Sequence, residues 1–177
     1  MKKTIALLAL AALLLSANGL QANIFRFEGT LSNAPEYGYI AKLTPTGMQV
    51  DTLFFGQDGA FAYKSELDKP NFFILRVGRT QIYVYGKPET VLQMEADYDI
   101  FPDSITFSGK AQADNAFLLA VNQYETQHEL DYQKVYSANL DTFNAVIDER
   151  KARQLAFLNE YLHNHKDVSD KLASLMK

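Results

Sequence analysis

All nine glycines and all five prolines of this 177-residue chain lie at or before Gly109, and residues 110–177 contain neither. Glycine and proline shape the turns between strands and are disfavoured inside helices, by about 1 and 3 kcal/mol respectively. The first part of the chain is therefore richly supplied with turns, and the last part is free of helix breakers. This asymmetry divides the chain near residue 110. It predicts an α+β fold: an antiparallel β-sandwich of seven or eight strands over 23–110, then a helical segment of two to three helices over 111–177.

Local patterns support both halves. Phe25, Phe27 and Leu31 alternate with Arg26, Glu28 and Thr30, the period of a half-buried strand. Tyr37, Tyr39, Ala41 and Leu43 repeat the alternation against Glu36, Gly38 and Lys42. Thr44-Pro45-Thr46-Gly47 reads as a turn into a strand over 48–55. Asp58-Gly59 between Phe54-Phe55 and Phe61-Ala62-Tyr63 is a hairpin signal, because both turn residues tolerate positive φ. Phe72 to Leu75 is continuously apolar, which predicts a strand covered on both faces. Further strands are expected at Ile82–Tyr85, Val91–Ala96 and Ile105–Phe107.

Beyond residue 110 the spacing becomes helical. Phe117, Val121 and Tyr124 fall on one face of a first helix. Leu140, Phe143, Ile147, Leu155, Leu158 and Leu162 form the stripe of a second, which begins after Asn139. Asp167-Val168-Ser169 marks the start of a third. The apolar faces of 140–176 are expected to need a partner, either a protein or a further domain.

The first 22 residues read as an address. Met1-Lys2-Lys3 precedes an apolar run from Ile5 to Leu15, too short for the roughly 20 residues that cross a bilayer. Small residues follow, with Ala17, Gly19 and Ala22 as the cleavage region of a signal peptide. The expectation is an exported, periplasmic or outer-surface soluble protein with no membrane span after signal removal. No cysteine is present, so it is not a lipoprotein. The 17 basic residues include Lys2 and Lys3, while no acid precedes Glu28. Removing 1–22 thus takes the net charge from −4 to −6. An acidic chain of this kind argues against a nucleic-acid partner.

The lack of cysteine also excludes a thiol nucleophile, a CxxC pair and cysteine-bound metal. His163 and His165 sit at a helix end, where residues two apart point to nearly opposite sides, so no metal site is expected there. Asp97, Asp99 and Asp103 cluster in one loop. Phe101 and Pro102 stand where a calcium loop would need a ligand and a glycine, and the cluster reads as a polar connection. Neither a catalytic residue nor a cofactor is predicted. A binding surface is suggested by Tyr37, Tyr39, Tyr83 and Tyr85, which would suit a peptide or glycan.

Three stretches, taken in order, resemble a known family. They are Phe25-Arg26-Phe27-Glu28-Gly29-Thr30-Leu31; Val50-Asp51-Thr52 with Asp58-Gly59-Ala60-Phe61; and Ile105-Thr106-Phe107-Ser108-Gly109 with Asn115-Ala116-Phe117-Leu118. Phe157 to Leu162 resembles the late helix of the family's connector. The family is the N-terminal domain of unknown function of exported thiol-disulfide oxidoreductases of Bacteroidetes. The resemblance implies a β-sandwich, a helical connector and then a thioredoxin-like domain carrying CxxC. This sequence contains no CxxC, so no catalytic residue is carried over. The implied function is a non-catalytic accessory or binding module, either free-standing or truncated before a thioredoxin-like domain. A free-standing peptide- or glycan-binding sandwich is the alternative.

Overall fold

Eight strands pair into two four-stranded sheets. The computed structural model describes residues 23–177; the signal-peptide reading, with Ala17, Gly19 and Ala22, lies outside the described residues. The strands are β1 (Ile24–Ser32), β2 (Tyr37–Thr44), β3 (Gly47–Phe54), β4 (Ala60–Glu66), β5 (Asn71–Val77), β6 (Thr80–Gly86), β7 (Val91–Asp97) and β8 (Thr106–Gly109). The first sheet runs β4-β1-β7-β8 and the second β3-β2-β5-β6. Both belong to a strand-rich, sandwich-like α+β arrangement.

One pairing departs from the antiparallel expectation. β1 and β7 run parallel, with Phe27 opposite Leu92 and Gly29 opposite Met94. The chain leaves β1, builds the whole second sheet and β4, and re-enters beside β1 in the same direction. The remaining pairings are antiparallel.

Alternating side chains of both sheets meet in one core. Phe25, Phe27 and Leu31 of β1 are fully buried against Ile40, Phe73, Leu75 and Val84 of the second sheet. Phe25 stacks on Phe73 at 5.3 Å, and Phe27 meets Phe61 edge-on at 5.1 Å. Each such side chain contributes about 1.5–3 kcal/mol of burial. Asp58-Gly59 turns as its sequence suggests. Gly59 has φ +77, and a Cβ there would lie 2.0 Å from the Leu31 carbonyl oxygen, so only glycine fits.

Four helices follow: α1 (Gln112–Gln127), α2 (Tyr132–Ser137), α3 (Leu140–Asn164) and α4 (Asp170–Met176). The short α2 was not expected, because 128–139 shows no helical period; it is anchored by buried Val135. Tyr85, Phe117, Leu118, Val121, Leu158, Val168 and Leu172 form a second core between β6 and the helices. Of the predicted α3 stripe only Leu158 is buried, and Leu140 and Leu155 are exposed. A helix of 25 residues is about 37 Å long and outreaches the surface it packs on. Its first half is instead tied to α1 and α2 by Arg150, which pairs with Glu125 and donates to Tyr132 Oη. Those two contacts raise the Arg150 pKa further. Among the described residues, no helix is long and apolar enough to cross a membrane.

Two neighbouring residues of α1 join the halves. Asn115 is fully buried and acts as a one-residue strand against the β6 edge. Its Oδ1 accepts from Tyr85 N at 2.8 Å and its Nδ2 donates to Tyr85 O at 3.0 Å and to Ala111 O at 2.8 Å. Asp114, equally buried, accepts from Ser169 N at 2.7 Å and so caps α4 from 55 residues away. Lys87 Nζ lies 2.7 Å from Asp114 Oδ2, off the line of a well-aligned hydrogen bond, so the contact is an ion pair.

Candidate functional site: the outer face of the second sheet

The two outer faces of the sandwich are made of different chemistry. On the first sheet the outward positions include Arg26, Glu28, Thr30, Lys64, Glu66, Gln93, Glu95, Thr106 and Ser108. Glu28, Gln93 and Ser108 are linked across three strands by hydrogen bonds at 3.4 and 3.1 Å. This is the polar, water-facing surface expected of a sandwich.

The second sheet presents something else. Its outward positions are Met48, Val50, Thr52 and Phe54 on β3, Tyr37, Tyr39, Ala41 and Leu43 on β2, Phe72, Ile74 and Arg76 on β5, and Gln81, Tyr83 and Tyr85 on β6. Arg76 is the only charge among them. Val50, Ala41, Ile74 and Tyr83 align in one cross-strand row, and Thr52, Tyr39, Arg76 and Gln81 in the next. The helices cover only the Phe72–Tyr85 corner. Tyr37, Tyr39, Leu43, Met48, Val50, Phe54 and Tyr83 stay between 37% and 65% exposed.

Three of the four proposed binding tyrosines therefore stand on this face, and Tyr85 does not serve as predicted. It is 1% exposed, its ring tilted against Phe72 at 5.0 Å under α1. Burial pushes its phenol pKa up, with a further rise from Asp114. Period two put Tyr83 and Tyr85 on the same face, but only a contact 30 residues away, to Asn115, reveals that the helix covers one of them.

The inward side of β2 is Gly38 and Ile40, so Tyr37, Tyr39, Ala41 and Leu43 line the outside. A related expectation changes. Phe72 to Leu75 is not sealed on both faces, because Ile74 is only half-buried in the open row.

The face holds two depressions. One, of about 370 Å³, is lined by Tyr39, Ala41, Met48, Val50, Ile74, Arg76 and Gln81. The other, of about 320 Å³, lies between Pro35, Tyr37, Gly38, Tyr39, Gly78 and Tyr98. Tyr37 and Tyr39 meet edge-on at 5.7 Å and form its aromatic corner. Gly78 has φ +59, and a Cβ on it would sit 2.4 Å from Tyr98 Oη, so glycine keeps this corner open. Tyr98, Met48, Val50 and Phe54 were missed from sequence as site residues. For the three on β3 the signal was the alternation of 48–54, which sets Met48, Val50 and Phe54 on one side with Thr52; Tyr98 lies after β7 and left no such pattern.

The other sequence candidates have local roles. Asp97 accepts from Asn33 Nδ2 and from Asp99 N, both at 3.0 Å, and the Asn33 bond leads in lowering its pKa. His165 stacks on Tyr161 at 4.2 Å where α3 ends, with His163 in the last turn. Among the described residues no group of three or more His, Asp or Glu side chains is placed to hold a metal ion. No family model, curated protein or solved structure matches this chain.

Proposed function

We propose that this chain is an exported, non-catalytic accessory module related to the N-terminal region of thiol-disulfide oxidoreductases, and that it docks a protein partner on the outer face of its second sheet. The contrast between the two outer faces carries the reading. One protein builds a charged, hydrogen-bonded face on one sheet and a face with a single charge on the other. Contiguous exposed apolar surface of this kind marks an interaction site. Aromatic and methionine side chains with few charges are also the composition of interface centres. The exposed side of α3, with Leu140 and Leu155, offers the same partner a second foothold.

The aromatic corner favours a second reading, a peptide- or glycan-binding sandwich. Tyr37, Tyr39 and Tyr98 around Gly78 form a concave site in which a proline ring or a sugar face can stack.

Photo-cross-linking in the native host tests the docking reading. A photoreactive residue at Tyr39 or Tyr83 is expected to capture a discrete partner, and one at Lys64 on the opposite sheet to capture none. Equal labelling from both sheets, or none from either, contradicts it. Loss of array binding to a peptide or glycan in Tyr37→Ala and Tyr39→Ala would favour the second reading instead.

A further inference from the structure

Resting on the docking reading, we infer that the partner enters the outer face of the second sheet with a proline-rich, acid-bearing segment. It lies along β2 in the polyproline II conformation, with its carboxylate on Arg76. The aromatic corner supplies the first ground. Pro35 and the rings of Tyr37, Tyr39 and Tyr98 wall it around Gly78. None of these three phenol hydroxyls has a hydrogen-bond partner among the described residues. A polyproline II segment leaves its own carbonyls unbonded. A hydroxyl can therefore donate to one of them while its ring packs on a proline. A docked α-helix has its carbonyls already paired within itself, and would leave the three hydroxyls unused.

Spacing selects the same conformation. Tyr37 and Tyr39 flank position 38 of β2, and the neighbouring depression is centred on the Val50–Ala41–Ile74 row. Tyr39 is the wall they share. The two centres are three residues apart along β2, about 10 Å. Polyproline II has three residues per turn and rises about 3.1 Å per residue, so positions i and i+3 share a face about 9 Å apart. A proline at i in the corner thus sets an aliphatic side chain at i+3 over Met48, Val50 and Ile74. An extended β-strand turns its like-facing side chains out at about 7 and 14 Å, and cannot fill both depressions.

Arg76 supplies the charge. It stands opposite Tyr39 in the register, between the two depressions. Its Nε donates to Gly78 O at 3.3 Å, which holds the guanidinium beside the corner. Among the described residues no carboxylate pairs with it. An acid at i+1 or i+2 of the segment answers it. A glycan fits less well, because Met48, Val50 and Ile74 offer its hydroxyls nothing.

Peptides with the cores Pro-Glu-Pro-Leu and Pro-Pro-Glu-Leu place the acid at i+1 and i+2. Each is fluorescein-labelled and paired with a glutamine counterpart, and fluorescence polarisation reads binding to the whole protein. At least one acidic peptide should bind, and its glutamine counterpart about 3- to 5-fold more weakly. Salt should erase that advantage. Arg76→Gln should weaken the acidic peptide to the level of its counterpart, and Arg76→Glu should transfer the preference to a lysine version. Tyr39→Ala should weaken every peptide about 10-fold. Arg76 and Tyr39 are exposed, so circular dichroism should show an unchanged fold, and the acid–glutamine comparison on the unaltered protein needs no variant. Three results overturn the inference: neither acidic peptide binding at about 1 mM, equal binding of acid and glutamine versions, or sialyllactose bound on this face in place of the peptides. A partner photo-cross-linked from Tyr39 through a segment without proline and acid overturns it too, and leaves the docking reading standing. Absence of any cross-link contradicts both.

Discussion

Replacing Asn115 by alanine removes the side chain that closes the β6 edge. Three hydrogen bonds go, at 2.8, 3.0 and 2.8 Å. Ala111 O keeps a partner, since Asn115 N also donates to it. The N–H and C=O of Tyr85 do not, and Tyr85 is buried. Each buried backbone group left unpaired costs about 1–3 kcal/mol, so the loss is about 3 kcal/mol. That is a large share of the 5–15 kcal/mol that holds an ordinary domain together. Urea unfolding followed by circular dichroism should show it as a lower midpoint at unchanged slope, and heating as a Tm about 6–12 °C lower. Asn115→Asp sharpens the reasoning. A carboxylate keeps the acceptor for Tyr85 N but sets a negative oxygen against Tyr85 O. Burial and that repulsion raise its pKa in the folded state, so the folded protein binds the proton more tightly. Its stability should therefore improve as the pH falls and the acid can donate to Tyr85 O. A loss below about 1 kcal/mol for the alanine variant, or an aspartate variant insensitive to pH, would refute the strand-mimic account.

Asp114→Asn should keep the bond to Ser169 N but lose the Lys87 ion pair, costing about 2 kcal/mol; urea unfolding should show it as a lower midpoint at unchanged slope. Tyr63 is pushed up to about 12 from 10.0, first by burial and then by its bond to Asp51. Its folded pKa lies above the unfolded one, so its contribution is intact below about pH 10 and is lost as the pH climbs towards 12. Tyr63→Phe should flatten that alkaline limb in a denaturation series.

Much of the fold was legible because strand and helix leave local marks. Asp58-Gly59, the alternation of Phe25 and Phe27, and the end of glycine at Gly109 each act within a few residues. Side was harder to read than structure. Around Tyr37–Leu43 the alternation does not say which side is covered, since the inward set is Gly38, which has no side chain, and Ile40, which stands between Tyr39 and Ala41. Only the pairing of Ile40 with Leu75 settles it. The parallel β1–β7 pair and the capping of α4 by Asp114 are likewise contacts across more than fifty residues, beyond any local pattern. The site was half legible. Tyr37, Tyr39 and Tyr83 are on the exposed face, while Tyr85 was lost to a helix whose docking depends on one amide.

The docking face is tested most directly by a photoreactive residue at Tyr83, far from the β3 edge, combined with Tyr39→Glu. Tyr39 is exposed, so the substitution should leave the thermal midpoint unchanged while placing a charge in the centre of the face. The account expects the cross-linked partner seen from Tyr83 to disappear in that variant. An adduct of unchanged yield would contradict it.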